Sequence, residues 1–474
     1  MAILPADQAS VEHSLDVVII GAGACGLCAG LAAKEAGAEV LILERDANPT
    51  GSTALSTGLI PAAGTRLQRE HGIDDSVDAF ARDIIAKAKG KTDVTMARAI
   101  AAASGPTIDW LAERHGVPFR LVEGFLYPGH TKLRMHGVPN RTGEELENAL
   151  LNAAERASLD IMTEAVARDL YATESGVVTA VRVERPDGRL ETVGCRALIL
   201  ACNGFGGNKE MLRRYIPEIV DAEYWGHVGN MGDAVIWGEA LGAAVADMGS
   251  YQGHGAVASP YGKPIMWGIL TEGGFQVNAR GERFSNEVRG YSEQAFEVIA
   301  QPDRVAWNIY DEVREKPALG FTDYKEVAEL GGIKKADTIA ELAVKLGLPA
   351  AALERTVAEV TEFCAGRRDD PWGRDFRGTA PLAPRYCGVR VIGALFHTQG
   401  GLVVDPQAYV LRPDGTRLPN LFAGGGAARG LSGPSRWGYL SGNGLLTATV
   451  LGRLAGLSAA RLVSRDPADA AAAH

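Results

Sequence analysis

Cysteine is scarce, with six in 474 residues at positions 25, 28, 195, 202, 364 and 387. That is too few to staple a chain of this size, so reduced thiols and a cytoplasmic location are expected. Positive charge is also short: 58 acidic residues outweigh 48 basic ones, for a formal net charge of -10. No basic stripe is left for a nucleic acid, although a pocket's local field can still welcome a small anion. The opening MAILPADQASVEHSLD has neither a basic n-region nor an apolar h-region, so no secretory signal is read. Residues 17–33 are uncharged, but Gly21, Gly23, Gly26 and Gly30 and a β-branched start argue against a membrane span. The tail DPADAAAAH reads as disordered.

Glycine, by contrast, is abundant. It supplies 58 residues, above the usual ~7%, and clusters in short loops where backbone can approach a ligand closely. With 46% apolar and 22% charged residues, the rest is ordinary for a globular protein, and the length suits two or three domains.

Residues 16–45 read DVVIIGAGACGLCAGLAAKEAGAEVLILER. A buried strand from Asp16 to Ile20 runs into Gly21-x-Gly23-x-x-Gly26. A small-residue helix follows to about Gly37, and a second buried strand, Glu39 to Leu43, ends in Glu44. Gly21 permits the turn, Gly23 admits a pyrophosphate to the backbone, and Gly26 lets helix and strand pack closely. Ala24 and Cys25 open the helix, whose free N–H groups and positive dipole end suit phosphate. Glu44, with Arg45 beside it, is placed to accept hydrogen bonds from an adenosine ribose. Cys25-x-x-Cys28 could be a redox pair, but both residues fall inside the fingerprint as small residues at a helix start.

NAD and FAD share this unit, so it does not choose between them. The rest of the chain does. A small, hydroxyl-rich loop follows, Gly51-Ser52-Thr53-Ala54-Leu55-Ser56-Thr57-Gly58. Downstream, a strand at 197–200 leads into Ala201-Cys202-Asn203-Gly204-Phe205-Gly206-Gly207-Asn208, and Gly232-Asp233 comes later. Near the other end are Leu421-Phe422-Ala423-Gly424-Gly425-Gly426 and Gly442-Asn443-Gly444-Leu445. One nicotinamide cofactor does not need glycine loops from both ends of a chain. FAD, long and bent through its domain, does.

Together these segments resemble the flavoprotein family of fumarate reductases, succinate dehydrogenases and 3-ketosteroid dehydrogenases, from about Asp16 to Gly456. VNARGERFSNE at 277–287, HTQGGLVVD at 397–405 and GNGLLTATVLGRLAG at 442–456 complete the pattern. The resemblance implies an α/β fold: a Rossmann-like FAD-binding domain with an inserted α+β substrate, or capping, domain. The FAD domain would comprise 1–245 and 386–474, and the cap 246–385. Cofactor contacts would come from Gly21, Gly23, Ala24, Cys25, Gly26, Glu44 and Arg45, and from Ser52, Thr53, Ser56, Thr57 and Gly58. Further contacts would come from Ala201, Asn203, Gly204, Asn208, Gly232, Asp233, Gly425, Gly442, Asn443 and Leu445. FAD would be non-covalent, because 51–58 lacks the histidine that some members use to attach it. Within the cap, 338–366 reads as two amphipathic packing helices joined at Gly347-Leu348-Pro349.

Dicarboxylate-using members of this family carry an arginine four residues after the Asn-Glu of RF-x-N-E; here that position is Tyr291. A second arginine, four residues before the Asn of the last glycine loop, is replaced by Tyr439, and a carboxylate-binding histidine by Phe396. A planar guanidinium matches a carboxylate bidentately and a phenol does not. A phenol can donate to a ketone oxygen or, as phenolate, take an α-proton. The two tyrosines and the Tyr439-x-Ser441 spacing are similar to the Δ4-type ketosteroid dehydrogenases.

The expectation is therefore an FAD-dependent oxidoreductase acting on CH–CH groups. It would introduce a C=C bond α,β to a ketone of the 3-ketosteroid or cyclic type, with Tyr291, Tyr439 and Ser441 as catalytic candidates. Phe396, His397, His254, Arg289, Arg436 and Thr271 are candidate substrate contacts. Plainer roles stand beside these: aromatic packing for the tyrosines, helix capping for Ser441, an ordinary hydrogen-bonded ring for His254. Arg283 and Glu287 read as a structural pair, and Trp267 as pocket wall or core. Arg289, Arg436 and His397 keep open a carboxylate substrate of the tricarballylate or fumarate type. A non-catalytic FAD-binding subunit is a third alternative. The chain has no haem C-x-x-C-H and no second dinucleotide fingerprint, which favours a dehydrogenase passing electrons to an external acceptor. No metal is expected.

Overall fold

Residues 1–11 and 13–464 are described by the computed structural model; the reading of the tail at 466–474 lies outside them. The fingerprint folds as a β-α-β unit of β1 (His13–Ile20), α1 (Ala24–Glu35) and β2 (Val40–Leu43). Val17, Val18 and Ile19 have no exposure, as a central parallel strand covered on both faces requires. Helix α1 is small-sided because it is pressed onto the turn: a side chain at Gly26 would stand 1.8 Å from the Gly21 carbonyl oxygen. Helix α2 (Gly143–Arg156) starts at Thr142, whose hydroxyl accepts from Glu145 N. Strand β3 (Leu190–Leu200) and helix α3 (Asp233–Ala240) complete the first pass.

The chain then builds a second layer from β4 (Tyr251–Ala258), α4 (Tyr291–Ile299), β5 (Val305–Asp311) and β6 (Tyr386–Thr398). It returns with β7 (Arg417–Ala423) and α5 (Asn443–Val463). Among the described residues the first sheet has nine strands, and β2, β1, β3 and β7 run parallel in that order. Ile20, Leu43, Leu200 and Ala423 therefore end along one edge. The loops that follow them open a crevice there, where open α/β sheets bind ligands. Helix α5 is long and apolar enough to cross a membrane by length and composition. Here it is a core helix: side chains at Gly452 and Gly456 would meet backbone oxygens of α1 (Cys25 at 2.3 Å, Ala29 at 2.1 Å).

The second sheet has seven strands among the described residues, with the thirteen-residue β6 as its spine, antiparallel to β4 and β5. The return to the first layer thus comes after Thr398, not at 386. Helix α4 lies close on this sheet, since side chains at Gly253 and Gly393 would collide with Ala295 (2.5 and 2.4 Å). That contact delivers Tyr291, the first residue of α4, beside His254 of β4. Residues 338–366 form the helices Ile339–Leu346 and Ala350–Cys364, split at Gly347, which is in the left-handed region at φ 71°. None of their residues lines the cleft described next.

Candidate active site

One continuous cleft of about 1940 Å³, counted out to its mouth, runs from the glycine loops to the second sheet. At the nucleotide end, Gly21, Gly23, Ala24 and Cys25 form one wall. A side chain at Gly23 would meet only Thr53 Oγ1, at 3.3 Å, so the backbone there is open to a phosphate. Thr53 Oγ1 accepts from Ala24 N (3.0 Å), which ties the second loop to the start of α1. Glu44 accepts from Ala22 N (2.9 Å) and Asp46 N (3.0 Å), which orients its buried carboxylate at the crevice. Asn203 donates to Ser52 Oγ (2.8 Å), and Arg45 to Gly229 O (2.7 Å). Ser56, Thr57, Ala201, Asp233, Gly425, Gly442 and Leu445 also line the cleft. Asp233 Oδ1 is buried there without a partner, an acceptor suited to a hydroxyl. A helix N-terminus, an open glycine, oriented carboxylates and hydroxyls fit the pyrophosphate and ribose of FAD.

Six expected cofactor contacts do not line the cleft. A side chain at Gly26 would strike Gly21 O, at Gly58 Thr142 O (2.5 Å), and at Gly204 Thr398 Oγ1 (2.1 Å). Asn208 caps the helix Lys209–Tyr215, and Gly232, at φ 87°, opens α3. Asn443 is fully buried at the start of α5 with its amide unpartnered. Close packing against protein atoms accounts for the glycine at Gly26, Gly58 and Gly204.

At the other end the cleft is aromatic. His254 is stacked between Tyr291 (centroids 5.1 Å, planes 25° apart) and Phe396 (5.4 Å, 17°), with Trp267 edge-on at 5.9 Å. Tyr439 meets Tyr291 and His397 edge-on, at 6.1 and 5.7 Å. Both histidines are held neutral by burial, His254 pushed down to about 3 and His397 to about 4. Ala256 N donates to His254 Nδ1 (3.1 Å), so the neutral ring carries its proton on Nε2. Burial pushes the Tyr291 phenol up to about 12, partly offset by the Ser441 hydroxyl, and pushes Tyr439 well above its ordinary range. Tyr439 Oη accepts from Gly444 N (3.3 Å) at the start of α5.

Three expected substrate contacts point elsewhere. Arg289 is exposed, and its carbonyl accepts from Lys87 Nζ (2.8 Å). The Arg436 guanidinium lies over the Phe296 ring at 3.9 Å. Thr271 Oγ1 donates to Gly268 O (3.3 Å) within its own helical turn. Ser441 is buried beneath the cleft wall, its hydroxyl facing Tyr291 and its carbonyl bonded to His130 Nε2 (2.9 Å). Glu287 is structural: it accepts from Arg283 (2.9 Å) and Arg374 (3.1 Å), an ion cluster that anchors the segment leading into Tyr291.

Sequence reasoning did not find Tyr127, Phe321 and Gln252, which line the aromatic end, or His227, Asn230 and Trp237 at the nucleotide end. Each lies in a segment with no motif spacing. Only the aromatic Leu-Tyr-Pro-Gly stretch around Tyr127 could have drawn attention. Among the described residues, no group of His, Cys, Asp and Glu could hold a metal ion.

Comparison with known proteins agrees with this geometry. A family described as "FAD binding domain" matches residues 16–445. The chain is similar to a probable fumarate reductase, Ifc3, of Shewanella frigidimarina, at 28% identity over 97% of this chain and 77% of that one. Among solved structures it is similar to an open conformation of a flavocytochrome c3 fumarate reductase (TM-score 0.81, 27% identity, 97% of this chain and 80% of that one). It is also similar to the 3-ketosteroid-Δ4-(5α)-dehydrogenase of Rhodococcus jostii RHA1 in complex with 4-androstene-3,17-dione. There the TM-score is 0.76 and the identity 26%, over 97% of this chain and all of that one.

Proposed function

Because the chain belongs to the FAD-binding domain family, we propose that it is a dehydrogenase that introduces a C=C bond α,β to a ketone on a cyclic or steroid-like body. One observation carries this reading. Arg45, at the nucleotide end, is the one arginine lining the cleft among the described residues, and no lysine lines it. The substrate end is built from His254, Trp267, Tyr291, Phe396, His397 and Tyr439, and both histidines are neutral. A dicarboxylate there would be buried without a cation, at a cost of several kcal/mol per charge. A flat apolar ketone meets aromatic walls and the neutral donors of His254 and Tyr439.

The roles follow from the bonds. Tyr439 Oη accepts from Gly444 N and its hydroxyl also faces the Tyr291 phenol, so its proton is shared between Tyr291 and the ketone oxygen, with His254 Nε2–H on the same wall. Stabilising the enolate as it develops lowers the barrier to loss of the α-proton. Tyr291 takes that proton in its phenolate form, which the facing Ser441 and Tyr439 hydroxyls stabilise against the burial that pushes the phenol up to about 12. When bound, FAD supplies the acceptor for the hydride that leaves the β-carbon. Phe396 and Trp267 exclude water, and an external acceptor completes the cycle.

The test is anaerobic bleaching of the bound flavin. Bleaching by 3-ketosteroids or cyclohexanones supports the proposal. Bleaching by polycarboxylates alone would replace it with the carboxylate reading suggested by the fumarate reductase relatives.

A further inference from the structure

Helix α2 stands on the second glycine loop. A side chain at Gly143 would meet Thr53 O at 2.0 Å and Ser56 O at 2.6 Å, and Gly143 N donates to Ser56 O (2.8 Å). Glu147 lies four residues on and so shares that face of the helix. It is 2% exposed, and neither carboxyl oxygen has a hydrogen-bond partner. The polar side chain facing it is the Thr53 hydroxyl, and the charged group is Glu44, at the end of β2. Cys28 faces it from α1, with Cys25 and, from α5, Arg453 directed at Cys28. A carboxylate here would add a second negative charge beside Glu44, under a loop that lines the cofactor cleft. An unpaired buried carboxylate is among the costliest groups a protein can hold. Burial, opposed by Thr53 and reinforced by Glu44, pushes this acid up to about 8.

We infer that Glu147 is a cofactor-positioning residue that works as a neutral carboxylic acid, its proton turned towards the Thr53 hydroxyl it faces and supporting the second glycine loop in its FAD-binding shape. Thr53 Oγ1 accepts from Ala24 N and has a second lone pair for the acid proton. One side chain then couples α2, the loop and the start of α1. The inference rests on FAD binding and is independent of the substrate. The two phosphates of FAD oppose ionisation of Glu147, so the bound state keeps the proton to higher pH than the free protein. Affinity for FAD then falls as pH rises above the point where the free protein loses it.

The experiment is dilution of the holoprotein between about pH 6 and pH 10, reading released FAD by its fluorescence. The dissociation constant is expected to be flat below about pH 8 and to rise by up to about tenfold per pH unit above it. Glu147→Gln, with an amide N–H in place of the acid O–H, is expected to hold FAD as tightly as wild type at neutral pH and to lose the slope. Glu147→Ala, which cannot bridge, should bind FAD about tenfold or more weakly at every pH, also without the slope. A flat wild-type profile overturns the inference, and so does a slope that survives in Glu147→Gln. If Glu147→Gln does not fold, Glu147→Ala provides the same comparison.

Discussion

The His254 ring stacks on Tyr291 at 5.1 Å between centroids while its Nδ1 accepts from Ala256 N at 3.1 Å. The stack fixes the plane of the imidazole and the backbone bond fixes its tautomer, so the ring enters the cleft as a neutral N–H donor.

The tyrosines can be tested directly. Tyr291→Phe and Tyr439→Phe are each expected to lower the anaerobic flavin-reduction rate by roughly 10² or more, with FAD still bound. Near-wild-type rates in both variants would remove the phenols from the mechanism.

Removing the two arginines should leave turnover intact. Arg289 is exposed and Arg436 packs on Phe296, so Arg289→Ala and Arg436→Ala are expected to keep KM and kcat within about threefold. Loss of the Arg436–Phe296 contact costs ~0.5–1 kcal/mol of stability. A large rise in KM in either variant would favour a carboxylate substrate.

Acid should destabilise the fold in a defined window. Burial pushes His254 down to about 3 and His130, His136 and His397 to about 4, from 6.5. Each depressed value means that the unfolded chain binds the proton first. Their contribution is therefore complete above pH 6.5 and is lost as pH falls towards 4, at about 1.4 kcal/mol per pH unit for each ring. Tm of the holoprotein measured across that range, with His254→Asn as the variant of shallower slope, checks it.

FAD should be dissociable. The loop at 51–58 has no histidine, so acid precipitation is expected to leave all the yellow colour in the supernatant. Colour retained in the washed pellet would show a covalent link.

The nucleotide end was legible because its signals are local. Gly21-x-Gly23-x-x-Gly26 with a terminal Glu44 states a strand, a turn, a helix and a second strand within thirty residues, and the backbone has few other ways to satisfy that pattern. Tyr291 and Tyr439 stood out as departures from a family spacing, and the fold brings both to the cleft wall. Neighbouring residues were not legible. Arg289 and Arg436 lie within three positions of the tyrosines, but a helix start and a loop turn their side chains away from the cleft.

The sequence by itself determined the FAD-binding unit and the helix pair at 338–366. Only the tertiary structure decided that β6 belongs to the second sheet and that His254 lies between Tyr291 and Phe396. It also left Glu147 buried with both carboxyl oxygens unpartnered, and packed Gly26, Gly58 and Gly204 against protein atoms. The physical reason is range. Turn geometry and helix starts depend on residues a few positions apart, whereas burial, stacking and the charge state of a buried acid depend on groups as distant in sequence as Glu44 and Glu147, or His254 and Phe396.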